Sequence, residues 1–305
     1  MVFVKSLSGV RILPKPVSTD ATETYTLSPE QIKFYDDNGY LVIKGLIDFT
    51  SLYSYKQHFQ RICNGLVPAG NMMVVKEPAL ARKNLKPEEY INKIQEILYD
   101  DVFITYGENP RMLSVLSHFL GDDITAMNSM IINKPPGATF HPAHQDLFYF
   151  PFRPAEKIIG AWTAIDEVNY ENGCLYVLPG SHKLKQLYQH GHVKGSLKMY
   201  HGILDEKSIA PVDKRVHLDM APGDTVFFDP YLVHGSGPNV SKHYRKAITF
   251  HFAASACSYV QLRGSPQELL LRDVQDMLRE KGYHLSFTDV WKMKSKQVKG
   301  VRSNL

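Results

Sequence analysis

Apolar residues along this chain recur in two rhythms. Up to about residue 120 they follow the three-to-four spacing of helix faces. After residue 124 they gather in short runs cut by turn residues. Ser28-Pro29-Glu30-Gln31 reads as a capping box with proline at the first helical position, and Ile32, Phe34 and Tyr35 supply an apolar face that stops at Asn38-Gly39. Gly39 to Ile43 predicts a strand. Asp48 predicts the cap of a second helix, with Leu52, Tyr55, Phe59 and Ile62 on one stripe. Residues 66–87 read as a loop punctuated by Pro68, Pro78 and Pro87. Residues 88–99, led by Glu88 and Glu89, read as a helix, as do 110–120 between Asn109-Pro110 and Gly121.

The second rhythm predicts strands over 124–134, 158–166, 174–178, 215–219, 224–228 and 244–252. Pro135-Pro136-Gly137, Asn172-Gly173, Pro179-Gly180, Pro222-Gly223-Asp224 and Gly235-Ser236-Gly237-Pro238 supply the turns between them. Many short strands with turn chemistry predict a sandwich or jelly roll, not a βαβ array. Residues 266–280 and 286–296 read as closing helices. The predicted fold is mainly β with flanking helices: an irregular arm over 1–25, then one domain over 26–305. Within it a helical layer spans 28–120 and a β-core about 124–260.

Composition narrows the class. The 305 residues are 44% hydrophobic and 22% charged, enough for a proper core. A formal net charge of +4 is too mild for a dedicated nucleic-acid binder. No apolar run approaches the roughly 18 residues of a membrane span. Cys63, Cys174 and Cys257 are too few and too scattered for a disulfide framework, which predicts a reducing interior.

The 13 histidines carry the candidate chemistry. In His144-Gln145-Asp146 the imidazole and the carboxylate are one residue apart, so on an extended chain both point the same way. His234, in Leu232-Val233-His234-Gly235, offers a third ligand 90 residues on. Two histidines and a carboxylate make the facial triad of non-haem iron(II) oxygenases, which leaves positions open for a bidentate co-substrate and O2. Arg245 follows eleven residues after His234 across an apparent hairpin. Its planar fork suits the far carboxylate of a 2-oxo acid, and Ser236 could add a hydroxyl. Taken singly, H-x-D can arise by chance and Arg245 can be a surface charge beside Lys242 and Lys246.

This combination resembles the iron(II)/2-oxoglutarate-dependent dioxygenases, whose fold is a double-stranded β-helix. Within them, several runs closely resemble the phytanoyl-CoA dioxygenase family: Tyr149-Phe150-Pro151-Phe152-Arg153-Pro154, Ala161-Trp162-Thr163-Ala164, Val177-Leu178-Pro179-Gly180-Ser181-His182 and Gly223-Asp224-Thr225-Val226-Phe227-Phe228. The resemblance runs from about Ser28 to the last residue. It implies His144, Asp146 and His234 as iron ligands and Arg245 on the 2-oxoglutarate 5-carboxylate. Lys93, Met130, Gln145, Trp162 and Ser236 follow as further residues of that pocket. On their own, Lys93 reads as a solvated helix lysine, and Trp162 and Met130 as core. The implied activity is 2-hydroxylation of phytanoyl-CoA or another 3-methyl-branched acyl-CoA in fatty-acid α-oxidation. Its cofactors are Fe(II), 2-oxoglutarate, O2 and ascorbate. A halogenase would lack Asp146, and a non-catalytic or zinc-loaded jelly roll would not need Arg245.

The remaining histidines read as structural: His141 in a loop, His182 in a turn, His251 in a strand core. His190, His192 and His201 fall in the poorly patterned stretch 183–212. The run Lys292, Lys294, Lys296 and Lys299 reads as a solvated face. Ser303-Asn304-Leu305 differs by one residue from the S-K-L peroxisomal address, which predicts a peroxisomal import receptor as partner. The Arg-Leu…His-Leu presequence of vertebrate family members is broken here at Arg11-Ile12 and Ser18-Thr19. A cytoplasmic location follows if the tripeptide is not read.

Overall fold

The computed structural model describes residues 24–305 apart from 78–79, 82–83 and 195–199. The predicted arm over 1–25 lies almost wholly outside the described residues.

Antiparallel pairing organises the chain into two principal sheets. The larger runs β1 (Tyr40–Ile43), β12 (Thr225–Phe228), β7 (Ile158–Ala164), β14 (Arg245–Ala254), β4 (Ile124–Lys134), β3 (Ile91–Gln95) and β2 (Met73–Lys76), and β16 (Ser295–Lys299) also pairs with β4. The smaller runs β11 (Val216–Leu218), β8 (Leu175–Val177), β13 (His234–Ser236) and β5 (His141–His144). Two ribbons accompany them, β9 (His190–His192) with β10 (His201–Ile203) and β6 (Phe152–Arg153) with β15 (Ser258–Tyr259). Trp162, Val226 and Ala247 of the larger sheet pack in one apolar cluster with Leu175, Val177 and Leu218 of the smaller. Burial of those inner faces joins the sheets as a jelly roll.

Helices cover what the sheets leave open. In α1 (Pro29–Asn38) the Gln31 N–H donates to Ser28 Oγ at 3.3 Å and the Ser28 N–H donates to the Gln31 side chain at 2.9 Å, the predicted capping box. Asp48 caps α2 (Phe49–Cys63) by accepting from the Ser51 N–H. The short α3 (Pro87–Tyr90) and α4 (Ile104–Gly107) precede α5 (Pro110–Leu120), whose Met112, Val115 and Leu116 are fully buried. α6 (Glu206–Ile209) follows β10. α7 (Glu268–Glu280) and α8 (Phe287–Met293) close the chain's carboxyl-terminal third. No helix among the described residues is long and apolar enough to cross a membrane.

Several predicted elements change. The helix over 88–99 opens as expected, with Glu89 accepting from the Lys86 N–H, but ends after one turn at Tyr90. Ile91 and Ile94, spaced like a helix face, belong instead to β3. There the ladder to β4 pairs Lys93 with Ile132, Ile94 with Ile131 and Gln95 with Met130. A ladder on both edges satisfies more backbone than a single helical turn can, and that tertiary pairing overrides the local signal. By the same logic Met73–Lys76, within the predicted loop 66–87, is a strand, and the helix predicted over 286–296 stops at Met293 before β16. The larger sheet therefore draws strands from outside 124–260, including β1, β2, β3 and β16.

Candidate metal and co-substrate site

β5 and β13 lie side by side with His234 directly opposite His144. Gln145 keeps extended backbone angles, so Asp146 emerges on the same side as His144. Asp146 Oδ1 lies 3.5 Å from His144 Nε2 and 3.7 Å from His234 Nε2, and one ligand atom from each residue falls within 4.8 Å of the others. Each imidazole is oriented by its own backbone. His144 Nδ1 sits 2.9 Å from the Pro142 carbonyl and His234 Nδ1 sits 3.0 Å from the Leu232 carbonyl. A carbonyl only accepts, so Nδ1 carries the proton and the Nε2 lone pair faces Asp146. Burial also pushes the His234 imidazole down to about 4, which keeps that lone pair free. Burial alone would raise the Asp146 carboxyl. The neighbouring imidazoles of His251 and His234, with the hydrogen bond from His251, outweigh it and hold the group well below the usual carboxylate range.

His251 is the residue that sequence reasoning left in the strand core. It is buried on β14, and its Nε2 donates to Asp146 Oδ2 at 2.7 Å. Asp146 is thereby split between its oxygens: Oδ1 faces the two ligand imidazoles and Oδ2 is anchored. A bulge in β4 at Asn128 (φ 44°) brings the Asn128 side-chain nitrogen to 3.2 Å from His251 Nδ1. The signal was available. Arg245, Thr249 and His251 alternate along one strand and so share a face.

On that face, Arg245 is buried beside Lys134, its register partner on β4. Arg245 donates from one terminal nitrogen to the Gly173 carbonyl at 2.9 Å, and its guanidinium lies 5.4 Å from the Trp162 ring centre. Among the described residues its Nε and the Trp162 indole N–H are buried with no hydrogen-bond partner. Lys134 donates to Ser236 Oγ at 2.9 Å and to the Gly237 carbonyl. Among the described residues neither cation meets a carboxylate. Burial lowers Arg245 to about 10, leaving it charged at neutral pH. Burial, then the neighbouring Arg245, pushes Lys134 well down from its ordinary value. A buried guanidinium without an anion is costly by itself, so this donor set fits a buried carboxylate. Gly173 makes the arrangement possible. Its φ of 83° is left-handed, and a Cβ there would lie 2.9 Å from Lys134 Cδ.

The triad, His251, Met130, Trp162, Thr249 and Ser236 line a cavity of about 440 Å³. Its walls continue through Met73, Val75, Lys93 and Tyr200 to Leu270, Val274 and Met277 of α7 and Val290 and Trp291 of α8. Arg245 stands behind Trp162, outside that lining. Lys93 is not the solvated helix lysine it resembles. Alternation along β3 turns Lys93 and Gln95 to the cavity and Ile94 to the core. Its ammonium lies 4.5 Å from the Tyr200 ring centre, and burial, then Lys294, lowers it to about 7 against the opposing pull of Glu96. Gln145 turns its side chain away from its two neighbours. It is fully buried and absent from the lining, because the residue between His144 and Asp146 must point the other way. Its amide donates to the Gln186 and Tyr231 carbonyls and accepts from the Tyr188 N–H. His141, expected in a loop, is on β5 and stacks at 4.4 Å on His144. Of the basic run at the carboxyl end, Lys294, Lys296 and Lys299 pair with Glu96, Glu108 and Asp122.

A jelly roll holding two histidines and a carboxylate with open positions is the architecture of non-haem iron(II) oxygenases. Comparison with known proteins gives the narrower class. The phytanoyl-CoA dioxygenase family profile matches residues 35–247, and the chain belongs to that family. It is 41% identical over 323 residues to rat "Phytanoyl-CoA dioxygenase, peroxisomal", covering 98% of this chain and 94% of that protein. It is 40% identical over 316 residues to "Probable phytanoyl-CoA dioxygenase" of Caenorhabditis elegans, covering 96% of this chain and 100% of the other. The crystal structure of EctD from S. alaskensis with 2-oxoglutarate and 5-hydroxyectoine shares the fold at a TM-score of 0.61 and 20% identity, over 84% of this chain and 89% of that one.

The anchoring of Asp146 by His251 generates a prediction. His251→Phe keeps the ring volume and removes the hydrogen bond, so Fe(II) affinity measured by anaerobic equilibrium dialysis should fall roughly 10–100-fold. Unchanged affinity would show that Oδ2 needs no anchor.

Proposed function

We propose that the chain is an Fe(II)- and 2-oxoglutarate-dependent 2-hydroxylase of phytanoyl-CoA or a related 3-methyl-branched acyl-CoA. One observation carries the reading: the two-histidine, one-carboxylate triad opens on a cavity whose wall includes Trp162 and Ser236, and these two side chains are in turn in contact with the buried Arg245 and Lys134. Full-length similarity to phytanoyl-CoA dioxygenases supplies the substrate class.

His144, Asp146 and His234 hold the metal through nitrogen and oxygen donors suited to iron(II). Iron(II) bound there would supply dioxygen activation, in a reaction whose balance is O2 plus 2-oxoglutarate plus acyl-CoA to succinate, CO2 and the 2-hydroxyacyl-CoA. Arg245 binds the far carboxylate through its unpartnered Nε and its terminal nitrogens, a charge-assisted contact stronger than a neutral one. Lys134 donates to a lone pair of Ser236, which leaves the serine proton to donate to the same carboxylate. Trp162 supports Arg245 and offers its indole N–H, and Met130 and Lys93 complete the co-substrate walls. The apolar faces of α7 and α8 take up the branched chain and exclude water, which strengthens every polar contact inside. A 440 Å³ cavity lies within the usual span of ligand pockets.

The assay combines purified protein, Fe(II), 2-oxoglutarate, ascorbate as reductant and O2. CO2 release and a 2-hydroxyacyl-CoA product should appear with 3-methyl-branched acyl-CoA, and Asp146→Ala should abolish both while circular dichroism stays unchanged. Unaltered 2-oxoglutarate across a panel of branched and straight acyl-CoAs would sink the reading.

The peroxisomal matrix is the location we infer, since the vertebrate relatives are named peroxisomal. Import through Ser303-Asn304-Leu305 requires release of a tail in which Leu305 is buried and the Asn304 N–H donates to the Ser255 carbonyl at 2.9 Å. Deleting the three residues should strand a fluorescent fusion in the cytosol. Undiminished import would assign the address elsewhere.

A further inference from the structure

A second set of two imidazoles and a carboxylate converges where the β9–β10 ribbon meets α7. His201 Nε2 lies 2.9 Å from Asp273 Oδ2, and His192 Nε2 lies 3.3 Å from the same oxygen. The two rings are 5.0 Å apart, and one ligand atom from each of the three residues falls within 4.8 Å of the others. Tetrahedral zinc with bonds of about 2.0–2.2 Å sets neighbouring ligand atoms roughly 3.3 Å apart. The observed spacings reach that geometry through shifts of well under the length of a bond for the two carboxylate contacts and a modest closing of the imidazole pair.

Burial distinguishes this cluster from a surface ion pair. The His201 side chain is 0% exposed and that of Asp273 10%, whereas His192 is 46% exposed. Two donors are thus held inside and the third faces solvent, which gives an ion an entry path and leaves a position for water. The donors also come from separate parts of the chain, a ribbon and a helix, so an ion between them would join the two.

We propose that His192, His201 and Asp273 bind a divalent cation of the zinc class and that this ion clamps the β9–β10 ribbon to α7. The consequence reaches the substrate. α7 contributes Leu270, Val274 and Met277 to the cavity wall, and Tyr200, next to His201, faces the same cavity. Fixing ribbon to helix fixes two sides of that wall. The cluster shares no residue with the His144–Asp146–His234 triad, so its failure would leave the oxygenase reading untouched.

Cobalt(II), which reports its coordination through visible d–d absorption, is the probe. Equilibrium dialysis of the full chain should give two Co(II) per molecule. A variant carrying His144→Ala and Asp146→Ala should keep one, and adding His192→Ala should remove it or weaken it at least tenfold. His192 is half exposed, so its replacement opens no core cavity. If the triad variant does not fold, the same decision comes from the wild type against His192→Ala, as two equivalents against one. Zinc should also raise the melting temperature of the triad variant in proportion to the logarithm of its concentration, and not that of the variant lacking His192. A wild type that binds one Co(II), or a second ion that survives His192→Ala unchanged, would reduce the cluster to a hydrogen-bonded histidine–aspartate network.

Discussion

Asp146 is the point on which the arrangement turns. Its carboxylate is buried, and a buried anion persists only when its oxygens are engaged. His251 engages Oδ2 at 2.7 Å, and His144 and His234 face Oδ1 at 3.5 and 3.7 Å. These contacts need two sheets. β5 and β13 set His234 opposite His144 in the smaller sheet, and β14 delivers His251 from the larger. A slip of one residue in either register would turn a donor out of the site. The Asp146–Tyr149 turn is braced in addition by Gln267, whose amide donates to the carbonyls of Leu147, Phe148 and Phe150.

A second electrostatic constraint lies on the neighbouring strands. Arg245 and Lys134 are buried basic side chains with hydrogen bonds to carbonyls and a hydroxyl but, among the described residues, no carboxylate partner. Such a pair is tolerated where a ligand supplies the anion, and on the proposed reading that anion is the far carboxylate of the 2-oxo acid. The cavity wall thus divides by chemistry: Trp162 and Ser236, backed by Arg245 and Lys134, on one side, and apolar side chains from α7 and α8 on another.

Much of this was legible in the chain. Spacing makes His144, Asp146, His234 and Arg245 candidates, because side chains on strands follow the period of two, and the family resemblance gives them their roles; the structure brings the first three within 4.8 Å of one another. The strand over 124–134 was found with the bounds the structure shows. What escaped depends on partners distant in sequence. Lys134 and Arg245 become neighbours only through β4–β14 pairing, and Asp146 meets His251 across 105 residues. Lys93 was hidden because Ile91 and Ile94 imitate a helix face, and only the ladder to β4 decides for a strand. Gln145, between His144 and Asp146, turns its amide to the Gln186 and Tyr231 carbonyls, an orientation the strand period implies.

The central claim is that the triad holds a metal which a 2-oxo acid chelates while Arg245 binds its far carboxylate. Anaerobic titration of the Fe(II)-loaded protein with 2-oxoglutarate, followed by the visible metal-to-ligand charge-transfer band, tests it directly. The band should form at saturating co-substrate in both wild type and Arg245→Met, with the variant requiring about 10–100-fold more 2-oxoglutarate, as loss of a charge-assisted buried contact implies. Superimposable titrations, or no band in the wild type, would contradict the account.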